Sequence, residues 1–152
     1  MSVRRSYIVQ HEYLMGFSSQ NTDTILMLDD EFDIMNIFTL ALEQQGFHVV
    51  GFTEPLLALE HFQENSEQYG LVISDIRMPV MDGYEFIKKV KEIKPNVKVF
   101  FMSALLSDDI QFRTGLSLVK VDEYIEKPIS VNDFIRIVKK YFLTSGDLKH
   151  HS

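Results

Sequence analysis

Cysteine is absent from this 152-residue chain. That absence excludes a disulfide framework, a zinc–thiolate site, an iron–sulfur cluster and a cysteine nucleophile, and nothing in the sequence argues for an oxidising compartment. The expected location is the cytoplasm. Basic residues are also in short supply: 15 Lys and Arg face 22 Asp and Glu, a formal net charge of -7. A surface of that sign is poorly suited to tracking a nucleic-acid backbone. Long apolar runs are missing as well. The longest uncharged stretches, around Tyr13–Thr22 and Gln44–Thr53, are about half of the ~20 residues that span a bilayer, so no membrane span is expected. Arg4-Arg5 opens an apolar segment, but Gln10, His11 and Glu12 interrupt it and no small-residue cleavage site follows, so the start reads as an arm and not as a targeting signal. No internal repeat or low-complexity tract is present.

What is there is an alternation. Short apolar runs rich in β-branched and aromatic residues fall at Thr24–Leu28, Phe47–Phe52, Leu71–Ser74, Val97–Met102 and Val121–Ile125. Each is apolar on both faces, as interior strands of a parallel sheet covered by crossover helices should be. Between them lie segments of helical period. Phe32 to Gln45 carries Ile34, Met35, Phe38, Ala41 and Leu42 and stops at Gly46. Glu54 to Asn65 has Pro55 in its first turn, Gly83 to Lys94 aligns Phe86, Ile87, Val90 and Ile93 before Pro95, and Ser130 to Phe142 opens on a Ser-x-x-Asp cap. A further helix is expected over about Ser107–Gly115, with Leu116–Val119 able to extend it, begin a loop or feed the last strand. The division is an N-terminal arm (1–22, partly ordered or disordered), one α/β domain (23–143) and a short tail (144–152).

In such a sheet ligands bind beyond the carboxyl ends of the strands. The first strand runs into Asp29-Asp30 and the third into Asp75. Taken singly, each acid reads as a loop residue or helix N-cap, and Asp29, Asp30 or Glu31 could all cap the first helix. The coincidence is what carries weight, because the fourth strand ends in Ser103-Ala104 and the fifth in Lys127-Pro128. Three converging carboxylates call for a hard divalent cation, and Mg²⁺ is the natural guest. A nucleophilic carboxylate (Asp75), Mg²⁺ and a lysine to offset phosphoryl charge, and a hydroxyl donor (Ser103) together suit phosphoryl transfer to Asp75, giving a labile acyl phosphate.

The ordered set Leu28-Asp29-Asp30-Glu31, Asp75-Ile76-Arg77-Met78-Pro79-Val80-Met81-Asp82-Gly83, Met102-Ser103-Ala104 and Tyr124-Ile125-Glu126-Lys127-Pro128 resembles the receiver domain of two-component response regulators, over roughly Thr24–Phe142. The resemblance implies a doubly wound, flavodoxin-like five-stranded parallel sheet, strand order 2-1-3-4-5, with five helices. It implies that Asp75 accepts phosphate from a histidine kinase or histidine phosphotransfer protein. Asp30, Asp75 and the backbone carbonyl of Arg77 would bind Mg²⁺ directly, and Asp29 mainly through water. Ser103 and Tyr124 would form a switch pair, Lys127 would contact the phosphoryl oxygens, and the Lys127-Pro128 bond would be cis. Arg77, Ala104 and Leu105 would border the site, while Pro79 and Gly83 have structural roles. A phosphorylated receiver would act as a signalling switch that assists its own phosphorylation and dephosphorylation and is not otherwise an enzyme.

The chain departs from the family in one place. Lys120-Val121 stands where a Gly-Ala pair is usual, so the fourth helix and the loop after it are expected to shift. Output is expected through the face of the fourth helix, fifth strand and fifth helix, toward a downstream protein or a second copy. With Met1 and its arm the chain reads as a complete single-domain receiver, without an output domain of its own. A degenerate receiver that binds proteins without phosphorylation is the alternative, although every required side chain is present. An FMN-binding flavodoxin is disfavoured because Asp29-Asp30-Glu31 would repel a phosphate, and a haloacid-dehalogenase-type phosphatase because Asp75-Ile76-Arg77 lacks the second acid. His11, His48, His61, His150 and His151 are too scattered for a metal site, and the seven methionines and twelve phenylalanines read as packing.

Overall fold

A computed structural model describes residues 24–104 and 119–142. The chain order is β1 (Thr24–Leu28), α1 (Phe32–Gln44), β2 (Val49–Phe52), α2 (Pro55–Asn65), a 3₁₀ turn (Ser66–Gln68), β3 (Tyr69–Asp75), α3 (Gly83–Ile93), β4 (Lys98–Ser103), β5 (Glu123–Glu126) and α4 (Val131–Phe142). The sheet order is β2-β1-β3-β4-β5, every pairing parallel. Strand alternation sorts the apolar side chains into two layers. Leu26, Leu28, Val50, Phe52, Val72, Val99 and Phe101 pack toward α2 and α3, whereas Ile25, Met27, Val49, Leu71, Ile73, Phe100 and Met102 pack toward α1 and α4. The sheet is doubly wound, as the alternating pattern predicts.

The strands are displaced from their predicted bounds. β2 begins two residues late because His48, buried and bonded through Nδ1 to Thr24 Oγ1 at 3.3 Å, belongs to the turn before it. β3 gains Tyr69, Gly70 and Asp75, and β4 slides on to Ser103. The prediction that all five strands are apolar on both faces fails at β5. Only Ile125 is buried there, and Tyr124 and Glu126 are exposed, whereas β2, the other edge strand, is buried throughout: on β5 the described helices cover the face of Ile125, which packs with Phe134 and Val138 of α4. The helix predicted at 107–115, its expected shift, the N-terminal arm and the tail lie outside the described residues. Val121 itself is half-buried and packs against the layer of α2 and α3. Asp122 anchors this stretch, its Oδ2 accepting from the Val99 N–H at 2.9 Å and its carbonyl from the Tyr141 hydroxyl at 2.6 Å.

The helix ends follow local chemistry. α1 closes on Gly46 at φ +94°, with Gly46 N–H donating to Glu43 O and Phe47 N–H to Leu42 O. That paired return satisfies the last carbonyls and needs the left-handed conformation glycine tolerates. Ser130 Oγ accepts from Asp133 N–H at 3.0 Å as the α4 cap, and Asp82 caps α3 by accepting from Glu85 N–H at 2.9 Å. The start of α3 is pressed against the end of β3: Gly83 N–H donates to Ile76 O at 2.7 Å, and a Cβ at Gly83 would collide with the Asp75 carbonyl oxygen and lie 2.8 Å from Ile76 Cα. Both obstacles are backbone, so neither can swing aside. Gly83→Ala should therefore destabilise the fold by about 2–3 kcal/mol through overpacking; a urea midpoint within error of the wild type would show that the helix start can move at no cost.

Candidate functional site

Register brings the acids together. Leu28 pairs with Ser74, so the residues that follow, Asp29 and Asp75, leave neighbouring strands at the same level. By alternation both belong to the layer of α1 and α4. Asp29 and Asp75 are buried, Asp30 is exposed, and one carboxylate oxygen from each lies within 4.8 Å of the others. Asp29 does not cap α1 from the N-cap position, which is Glu31; instead its Oδ1 accepts the Glu31 N–H at 2.9 Å. This holds the carboxylate inward at the mouth of the sheet.

Lys127 answers the charge. Its Nζ donates to Asp29 Oδ2 at 2.8 Å and to Asp75 Oδ2 at 3.3 Å, and stands 4.0 Å from Glu31 Oε1. The lysine is delivered there by β5: its own N–H donates to Ser103 O at 2.9 Å, and the Lys127-Pro128 peptide is cis, as expected. Burial pulls the Lys127 ammonium down, but hydrogen bonding and charge from Asp29, joined by Asp75, hold it above the ordinary lysine range. Burial pushes the Asp75 carboxyl up to about 6; Lys127 opposes that rise, and the Asp29 and Asp30 charges add to it. Asp75 is thus the strained member of the cluster.

The other predicted residues are distributed around this centre. Ser103 is buried at the end of β4, beside the Asp75–Met102 pairing. Alternation places it and Tyr124 on the α2 and α3 side of the sheet, where Tyr124 lies 6.0 Å from the Phe101 ring and is 37% exposed. Arg77 and Ala104 are exposed at the rim, and Leu105 lies outside the described residues. His61 donates to or accepts from Tyr69 at 2.5 Å and His48 is buried in the turn before β2, so neither is near the acids. Two features escaped the sequence reading. Val80 takes φ +74°, with Met81 N–H bonded to Pro79 O at 2.8 Å, a three-residue turn rarely occupied by a β-branched side chain. Glu31 also borders Lys127. The Pro79-Val80 pair was the available signal for the first, and the run of three acids for the second.

The donor set fits a hard cation. Three carboxylates and no sulfur or imidazole form the cluster, which is the oxygen-rich chemistry of Mg²⁺, Ca²⁺ or Mn²⁺ sites. Its acid charge exceeds what one ammonium offsets.

Comparison with known proteins agrees with this arrangement. Residues 25–139 match the family model of the response regulator receiver domain. The chain belongs to that family. It is 28% identical over 121 residues to the response regulator receiver protein CpdR of Brucella abortus, covering 80% of this chain and 98% of that one. It is 35% identical over 117 residues to the transcriptional regulatory protein CssR of Bacillus subtilis, covering 77% of this chain but 50% of CssR. The receiver therefore spans nearly all of one relative and half the length of the other. A receiver domain protein from Clostridium thermocellum superposes with a TM-score of 0.70 at 25% identity, over 82% of this chain and 98% of that chain. Receivers are signalling switches of two-component systems and interact with histidine kinases or phosphotransfer proteins. No described helix of this receiver is long and apolar enough to cross a membrane.

The electrostatics make two stability predictions for the metal-free protein. Lys127→Ala leaves buried carboxylates without their ammonium and should cost on the order of 3 kcal/mol, partly recovered by adding a divalent cation; urea midpoints with and without the cation read both effects, and an unchanged midpoint would contradict them. Asp75→Asn should act in the other direction. A folded-state pKa near 6 against 3.8 for an ordinary Asp means that ionised Asp75 destabilises the fold above pH 6, that the penalty shrinks as pH falls, and that it vanishes below the ordinary value. The variant should gain about 1–3 kcal/mol at pH 7.5 and lose that advantage near pH 3.5, as judged by paired denaturation curves.

Proposed function

We propose that this receiver is a phosphoryl-accepting switch in which Asp75 takes the phosphoryl group. The observation that supports it is the Lys127 ammonium held between Asp29 and Asp75 inside an acidic, oxygen-donor cluster at the strand ends. An Asp75 carboxylate oxygen attacks phosphorus, forming the Asp75 O–P bond as the P–N bond of a phosphohistidine breaks and the departing imidazole nitrogen takes up a proton from solvent. Asp30, Asp75 and the Arg77 carbonyl would hold Mg²⁺, with Asp29 acting through water. Bound there, the cation supplies positive charge for the phosphoryl oxygens.

The chain's own groups do the rest. Lys127 would exchange part of its hold on Asp29 and Asp75 for a phosphoryl oxygen, and its nearly buried position keeps that attraction strong. Ser103 would donate its hydroxyl to another oxygen. On this reading Tyr124, now part-exposed on β5, moves into the space the serine leaves and alters the face around β5 and α4 that meets a downstream protein or a second copy. Arg77, Ala104 and Leu105 would govern access of hydrolytic water. The donor is a histidine kinase or histidine phosphotransfer protein, and the setting is cytoplasmic. The arm (1–22) and tail (144–152) stand outside the receiver proper (23–143).

Acetyl phosphate with Mg²⁺ should add one phosphoryl group, seen as an increase in intact mass, and Asp75→Asn should abolish it. An unmodified wild-type mass, together with no Mg²⁺-dependent beryllofluoride binding, would replace this reading with that of a degenerate receiver that binds partners without phosphorylation.

A further inference from the structure

Beside the acidic cluster runs an apolar groove of about 490 Å³ that the phosphoacceptor chemistry does not use. Ile34, Ile37 and Phe38 of α1 form one wall, and Ile129 and Val131, from the link between β5 and α4 and the start of α4, form the other. Its apolar surface continues onto the outer side of α1, where Ile37 is 53% exposed and Leu40 45%. Both fall in the row Asp33, Ile37, Leu40 and Gln44, whose spacing sets four exposed residues on one stripe of the helix. Met35, Phe38 and Leu42 already fill the core from the other side, so α1 is apolar toward solvent as well. The charges of this face are divided between its corners. α1 and α4 lie side by side in one layer, with the Phe38 and Phe134 ring centroids 4.5 Å apart, and both start at the edge where the strands end. Asp30, Glu31 and Asp33 gather at the head of α1, all exposed, and the last turn of α1 carries no base. Lys139 and Lys140 stand in the last turn of α4, a helix of 12 residues that spans about 18 Å. Val131, Ile135 and Lys139 are spaced by four, so Lys139 continues the side of α4 that walls the groove. At the head of α4 the charges already cancel, Arg136 pairing with Asp133 at 2.8 Å.

We propose that this face of α1 and α4 pairs with the same face of a second copy of the chain. A wholly acidic partner is repelled by the head of α1, and a wholly basic one by the tail of α4. A second copy satisfies both ends. The acids and the lysines occupy diagonally opposite corners, so a two-fold axis that lies in the interface, perpendicular to the line joining them, sets each acidic corner on the basic corner of the other copy. The charge pairing is then made twice, at the rim, where polar groups of an interface ordinarily stand. Between the two rims Ile37 and Leu40 of each copy meet the partner's groove and leave water. The surface is separate from the one around Tyr124, which alternation places on the α2 and α3 side of the sheet. It depends on the described residues alone and does not rest on the phosphoacceptor reading.

Sedimentation velocity of the full chain, with no metal ion and no phosphoryl donor added, should show a monomer–dimer equilibrium that shifts toward monomer on dilution. Ile37→Asp, at a half-exposed position where folding tolerates it, should leave only monomer at a concentration where the wild type is dimeric. Asp33→Lys and Lys139→Glu each reverse one corner and should each raise the dimer dissociation constant by about tenfold or more. The double variant Asp33→Lys/Lys139→Glu should dimerise again, because both corners are then reversed together; effects of the two changes on the helices themselves would add and not cancel. A wild type that stays monomeric at every concentration would overturn the proposal and leave the groove to a different protein. A dimer that survives Ile37→Asp would place the contact on another face and overturn it as well, and so would single reversals that the double variant does not rescue. Since neither metal nor phosphoryl donor enters the measurement, its failure would leave the phosphoacceptor reading intact.

Discussion

Like charges gathered at one edge of a sheet set the terms for the rest of this receiver. Asp29 and Asp75 end neighbouring strands at the same level, Asp30 follows at once, and Lys127 bridges the two buried members. The ammonium can do this only because β5 pairs with β4 and the chain after it is tied to Ser103 O. Sheet closure and charge compensation are therefore one requirement. If β5 were released, the buried acids would lose their cation; if the acids were absent, Lys127 would be a poorly hydrated charge with no counterpart.

The compensation is incomplete, and it falls unequally on the two buried acids. Burial leaves Asp75 with a raised affinity for protons, the mark of a carboxylate that would be relieved by a cation or by conversion to an ester-like derivative. Asp29 takes the shorter lysine contact and a backbone N–H besides. Two acids a few ångströms apart thus occupy different conditions, one anchored and one incompletely compensated. The tight seat of Gly83 against the end of β3 adds stiffness beside Asp75, while the strained turn at Val80 is exposed.

Much of this was legible in the order of residues. Strands buried on both sides show as continuous apolar runs, and Gly46, Asp82 and Ser130 announce helix ends through chemistry that acts within a turn. The acids could be assigned to a common site because β1 and β3 end in them and sequential α/β units place strand ends on one edge. Where sequence and structure differ, the cause is a contact beyond the local run. Val121 makes the β5 run look apolar on both faces, yet it belongs to the approach that Asp122 pins to β4. Phe47 and His48 looked like strand and instead complete the turn that Gly46 begins.

Composition and patterning by themselves determined the layer architecture, the absence of thiol chemistry and the identity of the residues at the strand ends, since period, charge and local capping are properties of neighbouring residues. Tertiary structure alone decided the rest: that Asp29 and not Asp30 is buried against Lys127, that Asp75 carries the raised pKa, that Tyr124 stands part-exposed on an edge strand, and that, among the described residues, α1 lines an apolar groove beside the acids. Each depends on which atoms from distant parts of the chain exclude water from one another. Desolvation and close pairing belong to the assembled fold and to no single stretch of it.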